Sequence, residues 1–353
     1  MSLPSLEQPF VIGSAQTCIG KVPRVSSALA WTDHWGTVKA RWGVGRMHYT
    51  IEPGLYALGE PDPEAPVLVT ANYKMSFDRL RETLSGRNAW ILVLNTEGVN
   101  VWCAAGKGTF GTAALAQQVS TSRLAAVVTH RRLILPQLAG PGVSAHQVRK
   151  LSGFKVTYGP IRASDLPAFL DSGLKASPEM RQKTFTLWER AVLIPVELVG
   201  ALKSAAPVLV VLFFLSGLGV GPGYWSRAWS AGGFSGIALL IAILAGAVLT
   251  PLLLPWLPGR AFSVKGLVTG LALAAGLIAL RGYDLRLLAD RLETLGWLFT
   301  IPAVSAYLAM NFTGASTYTS LSGVRKEMRW AVPVEIGAAC AGLCLWVASR
   351  FVH

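Results

Sequence analysis

Cysteine is scarce: Cys18, Cys103, Cys340 and Cys344 are all that 353 residues contain, and no CxxC occurs. An iron–sulfur cluster takes about four thiolates, usually closely spaced, so this spacing excludes one held by the chain itself, and any electrons it uses come from a partner. The same scatter argues against a disulfide framework. The N-terminal "MSLPSLEQPFVIGSAQTC" has no basic region followed by an apolar core, which leads to the expectation of a cytoplasmic front domain. Acidic residues are also few, 19 against 32 Lys and Arg, for a net charge of +13. No basic cluster interleaved with aromatics accompanies that excess, so no nucleic-acid partner is expected. A phosphate loop is excluded as well, because GxxxxGK[ST] would need Gly where Val101 stands and Ser or Thr where Gly108 stands.

What is present divides unevenly. Residues 1–187 carry 20 Lys and Arg against 12 Asp and Glu, whereas from Trp188 onward there are 12 against 7 amid long runs of Leu, Ala, Val, Ile and Gly. Residues 1–180 are therefore expected to form a cytoplasmic domain and 181–353 an all-α transmembrane domain. A spanning helix needs roughly 20 apolar residues, and five stretches qualify, near 191–218, 234–257, 264–281, 295–311 and 331–351, with four spans the rival count. Pro195, Glu197 and Lys203 interrupt the first, and an amphipathic helix from about Glu179 is expected to lead into it. With the N-terminus inside, Arg260 and Lys265, and later Arg325, Lys326 and Arg329, fall on the cytoplasmic side, as the positive-inside rule prefers; Arg281, Arg286 and Arg291 violate it mildly. This places the protein in the cytoplasmic (inner) membrane, in contact with lipid, as a multi-pass protein.

In the front domain short apolar runs alternate with helical patterns: 66–73, a helix over 76–85, 89–95, a helix from Asn100 to about Val119, then 124–130, 132–138 and 154–161. Such β/α alternation implies a largely parallel, Rossmann-like α/β sheet, whose ligands sit at the carboxyl ends of the strands. The turns "LAGPGVSA" (138–145), with Gly140 and Gly142, and "TYGPIRA" (157–163), with Tyr158 and Gly159, both follow strands and suit close approach of backbone to a ligand.

"NVWCAAGKGTFGT" (100–112) sets a cysteine in such a place. Asn100 is a good N-cap residue, which makes Cys103 the third helical residue with Lys107 one turn on, a setting that favours thiolate over thiol. Ala104, Ala105, Gly106 and Gly108 keep the surface low enough for a large flat ligand. The same residues also fit a small buried hydrophobe, the commoner fate of a free cysteine.

NVWCAAGK resembles the cap-helix motif of the mercury-methylating corrinoid protein family, HgcA, relatives of the large subunit of the corrinoid iron–sulfur protein of acetyl-CoA synthesis. The likeness continues through 20–59, 66–81, 130–170 and 311–328, and the acetyl-CoA relatives lack the cysteine at this place. The resemblance implies a cobalamin-type corrinoid held base-off, with Cys103 as lower axial ligand to cobalt and catalytic residue. Asn100, Val101, Trp102, Cys103, Ala104, Ala105, Gly106, Lys107, Gly108 and Thr109, together with Gly140, Gly142, Tyr158 and Gly159, would then form the cofactor site. Consistent with a ligand other than histidine, none of His34, His48, His130, His146 and His353 stands in the DxHxxG motif of histidine-ligated cobalamins.

The implied activity is a corrinoid-dependent methyltransferase that hands a methyl group to Hg(II), giving methylmercury, with a ferredoxin-like iron–sulfur protein, HgcB, restoring Co(I). The methyl donor implied is methyl-tetrahydrofolate or its methyltransferase. A thiolate trans to the methyl group pushes electron density onto cobalt, which suits departure towards an electrophilic metal, as axial thiolate tunes haem iron. Two other readings stand beside it: a corrinoid methyl carrier with a different acceptor, and a non-catalytic corrinoid-binding or transport protein. Against transport, the spans carry few charges apart from Glu197, Lys203 and Glu335, which fall near proposed ends or breaks. The loop 311–328 reads either as a docking or metal-entry element or as a plain connection. Cys340 and Cys344 are either a soft-metal relay or ordinary small residues at a helix interface. His130 reads either as a corrinoid contact or as structural, Cys18 as incidental, and Trp102 as packing.

Overall fold

The computed structural model describes residues 3–221, 223–314 and 321–352. The chain divides into two compact units, Met1–Thr184 and Phe185–His353. The first is a mixed α/β sheet domain, the second a helical region with five helices long and apolar enough to cross a membrane.

The first unit is built on a seven-stranded sheet in the order β1-β2-β3-β5-β4-β6-β7. Its strands are β1 (Val11–Thr17), β2 (Gly20–Val25), β3 (Gly54–Leu58), β4 (Val67–Ala71), β5 (Ala89–Leu94), β6 (Arg132–Leu135) and β7 (Lys155–Tyr158). β5, β4, β6 and β7 pair parallel. The antiparallel β1–β2 hairpin and β3, antiparallel to β5, extend the sheet on one side. Every residue of β3, β4 and β5 is buried, as befits strands covered on both faces. Alternation then splits them: Val67, Val69, Leu92 and Leu94 enter one core, Leu68, Ile91 and Val93 the other.

The helices of this unit are α1 (Trp31–Arg41), α2 (Lys74–Thr83), α3 (Val101–Lys107), α4 (Thr112–Thr121), α5 (Leu124–Val127), α6 (Ala145–Ser152) and α7 (Leu166–Asp171). α3, α4 and α6 contribute to the first core, α2 and α7 to the second. The chain leaves β4 for β5 on one side and returns to β6 on the other, so the order reverses between β4 and β6, where α/β sheets of this kind hold ligands.

Two expectations from the sequence are corrected here. The run 124–130 is not a strand: Arg123 in the left-handed region (φ 49°) starts α5, which buries Leu124 and Val127. The helix expected over 100–119 is broken, because Gly108 takes φ 87° and closes α3, and Phe110 turns fully into the core before α4 begins.

α1 has inverted polarity. It buries Asp33, Gly36 and Ala40, while Trp31, Trp35 and Trp42 are exposed. What holds it is ionic: Lys74 donates to Asp33 at 2.5 Å and Asp78 at 2.7 Å, and Arg81, itself fully buried, reaches Asp33 at 2.7 Å and Asp78 at 2.9 Å. Arg81 also donates to the carbonyls of Ser26 and Ala28, so two cations and two carboxylates leave few lone pairs unmet. A Cβ on Gly36 would lie 2.5 Å from the Tyr49 hydroxyl, which donates to the Asp33 carbonyl. Burial raises that phenol to about 12.

In the second unit α8 (Leu187–Ala191) and α9 (Ile194–Ser216) form the first span, and α10 (Tyr224–Ile243), a π-helical turn (Leu244–Leu249) and α11 (Thr250–Leu253) form the second. α12 (Phe262–Arg281), α13 (Leu288–Asn311) and α14 (Leu321–Ala348) complete the five. The amphipathic helix expected from Glu179 is a single 3-10 turn, Glu179–Arg181, and the helix begins at Thr186, whose side chain and Glu189 cap each other. The second span starts ten residues before the expected 234, since Gly232 gives close contact with Phe213 rather than ending a helix.

Glycine and hydroxyl contacts join the spans. Gly266 and Gly270 leave room for Ser305, Ala306 and Pro302, and Gly342 meets Gly296 and Thr300. Thr250 and Thr269 share a 2.6 Å hydrogen bond, and Ser305 donates to the Gly266 carbonyl. Cys340 and Cys344 are both exposed on α14. Of the loop 311–328, residues 315–320 lie outside the described residues.

Burial pushes the Asp33 carboxyl up, but its bonds to Lys74, to the Ala30 amide and to Arg81 outweigh that and hold it below its ordinary 3.8. A depressed carboxylate contributes stability that is present above its unfolded value and is lost as pH falls through the folded one. Asp33→Asn is expected to cost about 3 kcal/mol locally, read as faster hydrogen exchange of the α1 amides. Wild type should approach that rate below the ordinary 3.8, and the variant should lack this acid step.

Candidate functional site

The segments that follow β4, β5 and β6 converge around α3, with Tyr158 at the end of β7 tied to the last of them. β5 runs into it through 95–100. Asn72, just past β4 and only 6% exposed, governs that connection. Its side-chain carbonyl accepts from the Thr96 amide (3.0 Å), the Thr96 hydroxyl (2.9 Å) and the Gly98 amide (3.2 Å). Its own backbone accepts from Ile51 and donates to Leu94. Gly98, at φ 72°, has no room for a Cβ, which would lie 2.7 Å from the Met47 carbonyl. The loop is thus fixed from both sides before α3 starts.

Asn100 then caps α3 as its sequence position suggests, accepting from the Cys103 amide at 2.9 Å. Val101, Ala104 and Ala105 are buried and anchor the helix. Cys103 is half-buried and its thiol is free; Trp102, Gly106, Lys107 and Gly108 are exposed. A Cβ added at Gly106 or Gly108 would meet nothing within 4 Å, so the surface beside the thiol is open. Thr109 follows, its Oγ1 buried with no hydrogen-bond partner.

The loop after β6 forms the neighbouring wall. A Cβ on Gly142 would fall 2.5 Å from the Phe110 carbonyl and 2.8 Å from that of Ala105, so only glycine lets this loop lie against α3. The Gly142 carbonyl accepts from Thr112, and Ser144 donates its amide to the Thr112 hydroxyl. Tyr158 ties β7 to the same loop by donating to the Val143 carbonyl, and burial raises its phenol above the ordinary value. The structure therefore brings together residues 100–109, Gly142 and Tyr158. Gly140, on the same loop, is exposed. Gly159 lies elsewhere: it continues the β6–β7 ladder through Leu135, and its missing side chain faces Ile134 and Phe169 on the opposite side of the sheet.

His130 stands at the other edge, before β6. Its Nδ1 accepts from the Arg132 amide, which leaves Nε2–H to donate to Ala65 at 2.9 Å. It is occupied structurally and helps line a 490 Å³ cleft with Arg132, Glu64 and the Arg87–Asp171 ion pair, away from α3. Cys18 is exposed, with its sulfur against the Ala126 carbonyl. Asn72, Thr96 and Gly98 were missed by sequence reasoning. The available signal was "TANY" closing a buried strand and "NTEG" closing its neighbour, but nothing local says that one amide serves three donors 24 to 26 residues away.

Residues 45–170 match the family described as CdhD, the CO dehydrogenase/acetyl-CoA synthase delta subunit. The chain is also similar to acetyl-CoA decarbonylase/synthase complex subunit gamma of Archaeoglobus fulgidus, 31% identical over 128 residues, 36% of this chain and 27% of that one. The Methanopyrus kandleri subunit gamma is 32% identical over 123 residues, 34% of this chain and 26% of its own. Subunit gamma 2 of Methanosarcina thermophila is 32% identical over 130 residues, 36% and 27%. The chain thus spans about a quarter of the length of the relatives it matches, and the matched stretch 45–170 lies wholly in the α/β unit.

Asn72→Ala strands the buried amides of Thr96 and Gly98, while the Thr96 hydroxyl keeps the Val99 carbonyl at 2.7 Å, and should loosen the 95–100 loop by about 2 kcal/mol. Hydrogen exchange across 96–103 measures it; Asn72→Asp, which keeps the acceptor, should recover most of the protection.

Proposed function

We propose that the α/β unit binds a corrinoid through the sulfur of Cys103 and, with it, transfers a methyl group to Hg(II) to give methylmercury. The observation that carries the reading is a half-exposed, free thiol on a short helix at the reversal of strand order, with open glycine surface on one side and an orphaned hydroxyl close by in sequence. These features fit a broad, flat, polar-edged ring whose metal takes a soft axial ligand. The similarity to acetyl-CoA decarbonylase/synthase subunits supports handling of a one-carbon unit, and their description as parts of a complex supports protein partners.

When bound, a corrinoid would supply the cobalt chemistry of methyl transfer, and Cys103 would be the residue that holds it. The protein's own part is placement. Asn100 fixes the Cys103 backbone through its cap, so the sulfur's reach is set by the helix rather than by a mobile loop. Ala104, Ala105 and Gly142 lock that helix to the neighbouring wall. Gly106 and Gly108 admit the ring edge, and Thr109 offers one hydroxyl to its periphery. Lys107, exposed one turn from the thiol, adds positive charge facing solvent, where an anionic edge group of the ligand is favoured.

In this reading the Cys103 sulfur would take the place of the corrinoid's own base, so the group would be held base-off. Electrons reach the site from a ferredoxin-like protein of the HgcB kind, and the methyl group from methyl-tetrahydrofolate or its methyltransferase. The five helices hold the protein in the cytoplasmic membrane, with the α/β unit on the cytoplasmic side. A second reading, a corrinoid methyl carrier with another acceptor, is favoured by the relatives, none of whose names mentions mercury.

The test uses the full chain, purified anaerobically. The bound corrinoid should show cobalt–sulfur scattering by X-ray absorption, lost in Cys103→Ala while circular dichroism is unchanged. Methylmercury formation with inorganic mercury, methyl-tetrahydrofolate, reductant and the ferredoxin should fall by more than about 100-fold. Cys103→His working as fast as wild type would sink the sulfur argument. An intact cobalt–sulfur signal without methylmercury would favour the carrier.

A further inference from the structure

Glu335 lies midway along α14 and is 7% exposed, and among the described residues neither of its carboxyl oxygens has a hydrogen-bond partner. From the sequence it stood near the start of a span; the helix in fact extends fourteen residues before it, to Leu321. Other carboxylates of the same unit are provided for. Glu293, equally buried at 7%, pairs with Arg350 and accepts from the Trp297 indole, and Glu327 accepts from the Ser263 amide at 2.7 Å.

Among the described residues, no cation is bonded to Glu335. α13 and α14 run antiparallel, Gly342 meeting Gly296 and Thr300. Seven residues earlier on α14, Glu335 comes level with 304–308, where Ser305 has already given its proton to the Gly266 carbonyl and Tyr307 is 48% exposed. The other ionisable groups of α13, Asp290, Arg291 and Glu293, stand near its opposite end. On α14 itself Arg325, Lys326, Glu327 and Arg329 precede Glu335 by at least six residues, about 9 Å of helix rise. On α9, which lines an apolar groove with α10, α13 and α14, Glu197 has a partner of its own and Lys203 is exposed. Pro333, lacking an N–H, leaves the Arg329 carbonyl without its usual helix donor, one to two turns away. That places an acceptor, not a donor, on the same stretch of backbone.

An ionised carboxylate buried in this way costs several kcal/mol, and low-dielectric surroundings raise the cost. The neutral acid avoids it. We propose that Glu335 is a proton-binding site inside the helical unit, loaded as the carboxylic acid and emptied only when water or a cation reaches it. The ligand is the proton itself, since among the described residues no three His, Cys, Asp or Glu side chains converge to hold a metal ion. Such a site gives the helices a part beyond anchoring, because loading and unloading it changes the charge buried within the helical unit.

The experiment is pH-difference infrared spectroscopy of the full chain in lipid, comparing wild type with Glu335→Gln. Wild type should show a carboxylic-acid carbonyl band that disappears between about pH 5 and about pH 10, shifts in deuterium oxide, and is missing from the variant. Glu335→Asp should retain a displaced band and covers the case in which the glutamine variant does not fold. Superimposable wild-type and variant spectra, or a residue ionised throughout that range, would overturn the proposal. Cys103→Ala should leave the band unchanged, which separates this site from anything bound at Cys103.

Discussion

The α/β unit depends on one amide. Asn72 closes β4 and, from a buried position, accepts from both polar groups of Thr96 and from Gly98, so the chain leaving β5 has one path into α3. A water could satisfy those donors individually, but it would not fix their mutual positions. Because Asn72 belongs to the strand next to the reversal of order, the bond also sets where Cys103 stands relative to the crevice. Asn100 then adds the last constraint, from the cap to the amide of the cysteine itself. Precision at the thiol is thus inherited from a strand end, through a loop, into a helix too short to hold itself.

The ionic knot of Asp33, Lys74, Asp78 and Arg81 serves the other side of the sheet in a different way. Four charges removed from water are tolerable because each is met by opposite charge, and Arg81 also satisfies two backbone carbonyls. The knot specifies where α1 lies, which its apolar residues do not, since the tryptophans of that helix point outward. Among the described residues the helical unit shows neither device. Its spans meet through glycine, serine and threonine, as expected where burial from water no longer drives association. Within it, Glu293 with Arg350 shows what a carboxylate there requires, and Glu335 lacks it.

Much of the fold was legible. The strands at 66–73, 89–95, 132–138 and 154–161 read correctly because parallel strands covered on both faces are continuous apolar runs. The five spans read correctly because hydropathy is a property of each segment alone. The run 124–130 failed since apolar residues of that length serve a buried helical turn equally well. The break at Gly108 was hidden in a sequence whose residues otherwise suit a helix. At the site, the capped cysteine and the glycines after it were visible, and so was Gly142. Gly159 and His130 were not separable from them, because the residues following a strand look alike whichever face or edge of the sheet they meet.

Residue order alone therefore determined the α/β character of the first half, the apolar helices of the second, and the cap that presents Cys103, for all of these rest on contacts within a few residues or on composition. Tertiary structure alone decided which loops come together, that Asn72 governs the cysteine's helix, and that Glu335 has no partner among the described residues. Those are statements about neighbours far apart along the chain, and a side chain's hydrogen-bond balance exists only once its neighbours are in place.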